Sequence, residues 1–330
     1  MSERILVTGG AGFIGSELVG QLVARGFEVV AVDNLTNGRR ENLAEIDGAR
    51  CRLVVADVRD ATAMRASLEG IDLVYHLACL GVRHSIHSPQ ENHDVNATAT
   101  LGLLCLARAA KVKRFVYVSS SEVYGTARQV PMSEAHPTYP TTVYGASKLA
   151  GECYARAFHT TCGFPTVVVR PFNAFGPRCH HEGDSGEVIP KFLLRALAGR
   201  PLVVFGDGTQ TRDFTFVSDT AAGIIAAGLE RTAVGETINV GSGRSVSINA
   251  LAETVGRIVG RPVQIVHDEP RPGDVHDLRA DATSASSLLH FTPTVTLEKG
   301  LQRLAAWYES RGASAEKLLE DELVRNWTRA

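Results

Sequence analysis

Tyr144 and Lys148 stand four positions apart at the start of a stretch with helical periodicity, so their side chains leave one face about one turn apart. An ammonium beside a phenol favours the phenolate and draws its usual pKa of ~10 toward neutrality. Tyr144 is thereby a candidate general base. Upstream, Ser119-Ser120-Ser121-Glu122 follows an apolar run of strand length. A hydroxyl there can share a proton with a substrate oxygen that Tyr144 deprotonates. Ser120 is the choice for that role, with Ser121 and Glu122 beside it in the candidate catalytic set. The alternative for each serine is capping of loose backbone groups at a strand end.

A second group lies near the N-terminus. Arg4–Thr8 runs into Thr8-Gly9-Gly10-Ala11-Gly12-Phe13-Ile14-Gly15, which satisfies G-x-G-x-x-G from Gly10 and the wider spacing Gly9, Gly12, Gly15. The glycines alone are a weak signal. A loop that leaves a strand and opens a helix is stronger, because bare backbone N–H groups and the helix dipole can meet a pyrophosphate. Eighteen residues after Gly15, the second strand ends in Val32-Asp33-Asn34. A carboxylate there accepts both ribose hydroxyls and repels a 2′-phosphate, so NAD is the expected cofactor, with Arg39 and Arg40 leaving NADP open. Asp57, in Ala56-Asp57-Val58 after the third strand, reads as an adenine contact or a strand-end cap.

The elements that must position these residues follow a regular alternation. Arg4–Thr8, Glu28–Val32, Arg52–Ala56, Leu73–Leu77, Phe115–Ser119 and Thr166–Arg170 are near-continuous apolar runs of strand length. Between them lie helical stretches at Gly12–Arg25, Thr62–Glu69, Glu91–Ala110 and Val143–Thr161. Such runs separated by helices predict a doubly wound α/β fold, a parallel Rossmann sheet buried on both faces. After Pro171 glycines and prolines punctuate shorter elements, with helices expected at Val188–Ala198, Asp219–Leu229, Ile248–Val259 and Leu297–Glu309. Residues 1–172 are therefore assigned to a dinucleotide-binding domain. Residues 173–330 are assigned to a smaller α/β substrate domain, with some crossing back of the chain.

Composition narrows the class. The 330 residues carry 34 Lys plus Arg against 36 Asp plus Glu, a net charge of −2 that offers no electrostatic case for nucleic acid or an anionic membrane. With 44% hydrophobic residues the chain can bury a large core. The six cysteines stand singly with no CxxC pair, as in reduced thiols of a cytoplasmic enzyme. The first strand at Arg4 leaves no room for a leader, and no apolar run approaches the ~20 residues of a membrane span. Cys179-His180-His181-Glu182 with Asp184 gathers ligand types, but neighbouring side chains seldom converge on one ion. No metal is expected, and the segment reads as a polar loop over the pocket.

Taken together, these motifs resemble the extended short-chain dehydrogenase/reductase family, specifically its NAD-dependent nucleotide-sugar epimerases, decarboxylases and dehydratases. The resemblance spans nearly the whole chain. It rests on ThrGlyGlyAlaGlyPheIleGly at 8–15, HisLeuAla at 76–78, ValSerSerSerGluValTyrGly at 118–125, TyrGlyAlaSerLys at 144–148, ArgProPheAsnAlaPheGlyProArg at 170–178, ThrArgAspPheThrPheValSerAsp at 211–219 and ArgProGlyAspVal at 271–275. It implies a cofactor site of Gly9, Gly12, Phe13, Ile14, Gly15, Asp33, Asn34, Asp57, Val58, Leu77 and Ala78, completed by Tyr144 and Lys148. It also implies that Asn173, Arg212, Arg271 and Asp274 contact a nucleotide diphosphate or its sugar. Val188–Pro190 and Phe205 would flank the nucleobase. Two helices corresponding to Glu91–Ala110 and Val143–Thr161 form a four-helix homodimer interface in the family, so a homodimer is expected.

The resemblance further implies oxidation at C4 of the sugar, after which the fate of the ketone separates the activities. Dehydratases match at Glu122, their C5 base, but carry an acid where this chain has Ser121. UDP-glucuronate decarboxylases share the hydroxyl, serine and glutamate order. Gly81-Val82-Arg83 followed by Ser88-Pro89 is similar to UDP-glucuronate 4-epimerases, where the loop after the fourth strand borders the sugar. That reading gives Ser120, Ser121 and Thr126 as donors to a uronate carboxylate and Arg83 and Arg178 as its charge partners. UDP-glucuronate 4-epimerisation is the favoured expectation, with decarboxylation and the 4-epimerisation of UDP-glucose or UDP-N-acetylglucosamine as alternatives. From a different class, a catalytically silent nucleotide sensor would not need the complete Ser120, Tyr144 and Lys148 set.

Overall fold

The computed structural model describes residues 3–183, 185–271 and 275–327. Six strands in the first half are β1 (Arg4–Thr8), β2 (Glu28–Asp33), β3 (Cys51–Val55), β4 (Leu73–His76), β5 (Arg114–Val118) and β6 (Thr166–Pro171). Apart from β3, a partly exposed edge strand, these are mostly buried apolar runs, and the six pair in parallel in the order β3-β2-β1-β4-β5-β6. The connecting helices are α1 (Phe13–Ala24), α2 (Ala61–Ser67), α3 (Val82–His87), α4 (Pro89–His93), α5 (Ala99–Ala109) and α6 (Val143–Cys162). One helix was expected over 91–110. The structure starts the rod at Pro89, which suits a first helical turn, and passes through a single π turn at Asp94–Thr98 between α4 and α5.

Beyond Pro171 come β7 (Ala174–Phe175), α7 (Val188–Leu197), β8 (Leu202–Phe205), β9 (Thr211–Arg212), β10 (Thr215–Phe216), α8 (Val217–Leu229), β11 (Thr237–Val240), β12 (Val246–Ser247) and α9 (Ile248–Val259). β13 (Ile265–Asp268), α10 (Thr283–Leu289), α11 (Leu297–Ser310) and α12 (Ala315–Leu318) complete the described chain. Here the two halves interleave. β11 pairs in parallel with β6, Ile238 opposite Val169, as the seventh strand of the large sheet. α8 packs beside α1, and Ile224 and Ile225 join Leu18 and Leu22 in one fully buried cluster. The opposite face is covered by α2, α5 and α6 through Met64, Leu104 and Ala155.

The smaller lobe has its own core of Phe192, Leu193, Val204, Leu251, Val255 and Leu304, built on the parallel β8–β13 pair with α7, α9 and α11. A crevice opens at the carboxyl ends of β1 and β4, where the winding reverses. Glycine sets how closely α6 approaches β5. A Cβ on Gly151 would run into the Tyr117 hydroxyl, which donates to the Lys148 carbonyl at 3.1 Å. That contact holds the Tyr144 end of the helix against the strand end.

Candidate active site

The glycine loop is built for close approach. Gly9 turns with φ +69°, and a Cβ there would meet the Ala78 nitrogen at 2.9 Å. A Cβ on Gly15 would collide with the Gly9 carbonyl oxygen, and one on Gly12 would sit 3.2 Å from it. Gly12 caps α1 without a side-chain hydrogen bond, and the first turn holds no acid. The N–H groups and the positive end of the helix therefore face the crevice ready for an anion. At the end of β2, Asp33 is held by the N–H groups of Ala11 at 3.0 Å and Leu35 at 2.8 Å. This cradle fits a dinucleotide, with a carboxylate fixed where a ribose would lie.

A cavity of about 670 Å³ runs from this loop into the cleft between the lobes, within the range of small-molecule sites. Gly9, Gly12, Phe13, Ile14 and Gly15 line it, as do Asp33, Asn34 and Val58, then Leu77 and Ala78. Asp57 does not. Its carboxylate takes three bonds from Arg59, two from the guanidinium and one from the backbone N–H, each 2.8 Å, and one from Asn34 at 2.9 Å, and Arg59 with Asn34 hold it well below the carboxylate range. Arg59 reaches the wall in its place. His76 lies behind the loop, buried between Thr8 at 2.7 Å and Thr100 at 2.9 Å. Burial lowers it to about 3, so it is neutral and structural.

The catalytic candidates meet on the cavity wall. α6 starts at Val143, where the Thr142 hydroxyl accepts from Gly145 N–H at 3.0 Å. Tyr144, Lys148, Ser120, Ser121 and Glu122 line the same stretch. Burial pushes the Tyr144 phenol well above its ordinary pKa, with the Ser120 hydroxyl pulling the other way through a hydrogen bond and Cys79 and Glu122 adding to the rise. The sequence placed the Lys148 ammonium beside the phenol. In the structure it donates to the Val118 carbonyl at 2.6 Å and lies 4.6 Å from the Tyr117 ring centre. Burial lowers its pKa, with Cys79 and Glu152 opposing.

Behind the serines is a network that the sequence reading missed. The Ser119 hydroxyl donates to Glu152 at 2.6 Å, and Arg170 closes on the same carboxylate with bonds of 2.9 and 2.7 Å. Glu152 is fully buried and Arg170 is 3% exposed. Burial alone would raise Glu152, but Arg170, Ser119 and Arg156 together draw it below its ordinary value. One signal was available, since Glu152 follows Lys148 by four residues on the same helix.

The substrate candidates separate. Arg83, Asn173, Val188, Phe205, Arg212 and Arg271 all line the cavity. The Asn173 Oδ1 is buried and has no hydrogen-bond partner among the described residues. Arg178 turns away at φ +72° to bond Glu17 on α1 at 2.7 Å. Thr126 is exposed, because Gly125 at φ +65° sends the chain outward after the serine loop. Neither lines the cavity, and Asp274 lies outside the described residues. In the polar segment after Arg178, His180 lines the cavity while Glu182 is bonded by Arg39 at 2.7 Å.

The structure adds Glu187 just before α7, Lys191 and Arg195 along it, and Cys79 after β4. Burial raises Glu187, opposed by Arg83 and His180. Burial pushes Lys191 down to about 8, with Glu322 opposing and Arg83, Arg195 and Arg271 reinforcing it. These groups therefore share one electrostatic environment. Glu187 immediately precedes α7 and could have been read as a cap, although its side chain makes no cap bond.

Comparison with known proteins agrees with this geometry. The model of the NAD dependent epimerase/dehydratase family matches residues 5–241. UDP-glucose 4-epimerase of Mycolicibacterium smegmatis is 36% identical over 313 residues, 93% of this chain and 99% of that one. Among solved structures, UDP-glucose 4-epimerase of Thermotoga maritima, solved with UDP-glucose, superposes with a TM-score of 0.88 at 32% identity, covering 93% of this chain and 99% of that one. UDP-glucuronic acid 4-epimerase of Bacillus cereus, in complex with UDP-glucuronic acid and NAD, gives 0.87 at 32% identity over the same shares. The parallel sheet, the dinucleotide cradle and these likenesses lead to one conclusion: the chain belongs to the NAD-dependent epimerase/dehydratase family, and its cofactor is NAD.

Proposed function

We propose that the protein interconverts the C4 epimers of a UDP-hexuronate, UDP-glucuronate to UDP-galacturonate. The observation that carries this reading is the charge lining the substrate half of the cavity. Among the described residues Arg83, Lys191, Arg195, Arg212 and Arg271 face Glu122, Glu187 and Glu322. With all three carboxylates ionised, five cations stand against three anions, a surplus that matches a diphosphate. Burial raises Glu187, which moves the balance further toward accepting a carboxylate.

In this mechanism Tyr144 removes the proton from the C4 hydroxyl, and Ser120 hydrogen-bonds the same oxygen and the phenol. NAD, which the glycine loop and Asp33 would hold, would supply hydride acceptance and return at C4, and its positive ring would favour the phenolate. Lys148, fixed on the Val118 carbonyl, holds the first turns of α6 against β5. Asn173 and Arg271 hold the diphosphate while the ketosugar turns its other face. The resulting 4-ketouronate is a β-keto acid, so its carboxylate must stay near the plane of the ketone to resist loss of carbon dioxide. Arg83 and the Glu187 carboxyl, whose pKa burial raises, are the groups that would hold it there.

A second reading has its own support. Glu122 and Glu187 both act electrostatically on Tyr144, and with both ionised the site suits a neutral hexose, as in UDP-glucose. Incubation of the protein and NAD with UDP-glucuronate, UDP-glucose and UDP-N-acetylglucosamine, read by proton NMR, decides between them. UDP-galacturonate is the expected product; UDP-xylose with carbon dioxide, or turnover of the neutral sugars alone, would overturn the uronate reading. We propose also that α4–α5 and α6 pair with their copies in a homodimer, since Leu101, Cys105 and Cys153 are exposed on these helices. Light scattering at micromolar concentration should give twice the 35.4 kDa chain mass.

A further inference from the structure

The C-terminal end of the chain, far beyond the segment matched by the family model, folds back onto the cavity. The Asp321 carbonyl accepts from Gly183 N–H at 2.9 Å, and Glu322 pairs with Arg195 at 2.8 Å. Lys191 donates to the Leu323 carbonyl at 2.7 Å, and the buried Asn326 donates to the Gly186 carbonyl at 2.8 Å. From the other side Arg325 bonds Asp268, the last residue of β13, at 3.0 Å. These ties hold residues 321–327 as a strap across the mouth of the small lobe. They bring Trp327 to Phe205, with ring centres 4.5 Å apart and planes at 82°. Both rings line the cavity.

The groups that line the cavity are linked from neighbour to neighbour. Glu187 acts on Tyr144, which marks the reacting carbon, and Arg83 acts on both Glu187 and Lys191. Lys191 and Arg195 in turn hold the strap that carries Trp327 to Phe205. A sugar at Tyr144 with its diphosphate on the cations leaves one part of a nucleotide sugar to fill the aromatic end. Two rings at right angles suit a flat heterocycle that stacks on one and meets the edge of the other.

The family resemblance already places Phe205 beside the nucleobase; we propose that Trp327 completes that corner, so that the C-terminal strap is part of the substrate site. This rests on the nucleotide-sugar reading but not on which sugar is turned over. α7 couples the two functions, since Lys191 and Arg195 face the phosphate region and also anchor Leu323 and Glu322 of the strap.

The test uses UDP alone as ligand, by titration calorimetry, on the full-length protein loaded with NAD. Trp327→Ala should weaken UDP binding on the order of tenfold, with Trp327→Phe recovering most of it, while pyrophosphate binding stays unchanged. The chain holds two tryptophans, and Trp307 lies against Tyr308 on α11, outside the cavity lining. In a Trp307→Phe background, UDP should therefore quench the remaining fluorescence. Wild-type UDP affinity in Trp327→Ala, or no fluorescence response in Trp307→Phe at saturating UDP, would overturn the proposal. A wild-type protein that binds UDP normally but converts no UDP-sugar would sink the epimerase reading and leave the corner standing.

Discussion

The Lys148 ammonium donates to the carbonyl oxygen of Val118, the last residue of β5, at 2.6 Å. One hydrogen bond thus ties the turn of α6 that follows Tyr144 to the strand end from which Ser120 emerges. Lys148 is 2% exposed, so its charge is sustained by this carbonyl and by Glu152 one turn further on. Lys148→Met should lower kcat by about 10²-fold or more. Lys148→Arg should not restore it, because the guanidinium is too large for a fully packed site. Steady-state kinetics with NAD in excess checks both.

Tyr144→Phe should lose turnover by roughly 10²–10⁴-fold while still binding NAD. Ser120→Ala gives the more specific signature. Its hydroxyl lowers the phenol pKa, so removing it should move the acid limb of the kcat/KM profile to higher pH. A profile that keeps its midpoint would exclude Ser120 from the proton path.

Glu187 should govern the response to substrate charge. Burial raises its pKa, so it is protonated over a wider range than an exposed glutamate and ionises as pH rises. KM for UDP-glucuronate should therefore climb with pH through that ionisation, while KM for UDP-glucose stays level. Glu187→Gln should flatten the uronate curve at its low-pH value. Parallel pH series on the two substrates provide the check.

The Glu152–Arg170 pair should dominate stability beneath the serine loop. Glu152→Gln leaves a guanidinium buried without its counter-charge, which costs about 3–5 kcal/mol and a Tm lower by roughly 10 °C. The folded pKa of Glu152 lies below its ordinary value. Its contribution is therefore complete above the unfolded pKa of ~4.3 and fades as pH falls through the folded one. The Tm gap between wild type and variant should narrow only in acid, as calorimetry across pH 3–7 would record.

The sequence was most informative where function follows local spacing. The glycine loop, the Tyr144 and Lys148 pair and the buried strand runs are each written within about twenty residues, and Ile248–Val259 matches α9 at both ends. Arg178 and Thr126 misled because backbone at positive φ, in Arg178 itself and in Gly125 before Thr126, swung them off the wall. Only the preceding glycine gave warning. Glu187, Lys191 and Trp327 were invisible for another reason. Their place in the cavity is set by the docking of one lobe on the other, which no local periodicity records.

The seventh strand supplies a last consequence. Because β11 comes from residues 237–240 and lies against β6, a ribosome that has released only the glycine loop and the tyrosine helix has made a sheet with an open border. Until Val240 emerges, β6 presents unpaired amides to whatever strand drifts past. Excision of the coenzyme half at residue 172 would therefore leave β6 as an open edge, because its partner strand is supplied by chain from beyond that half.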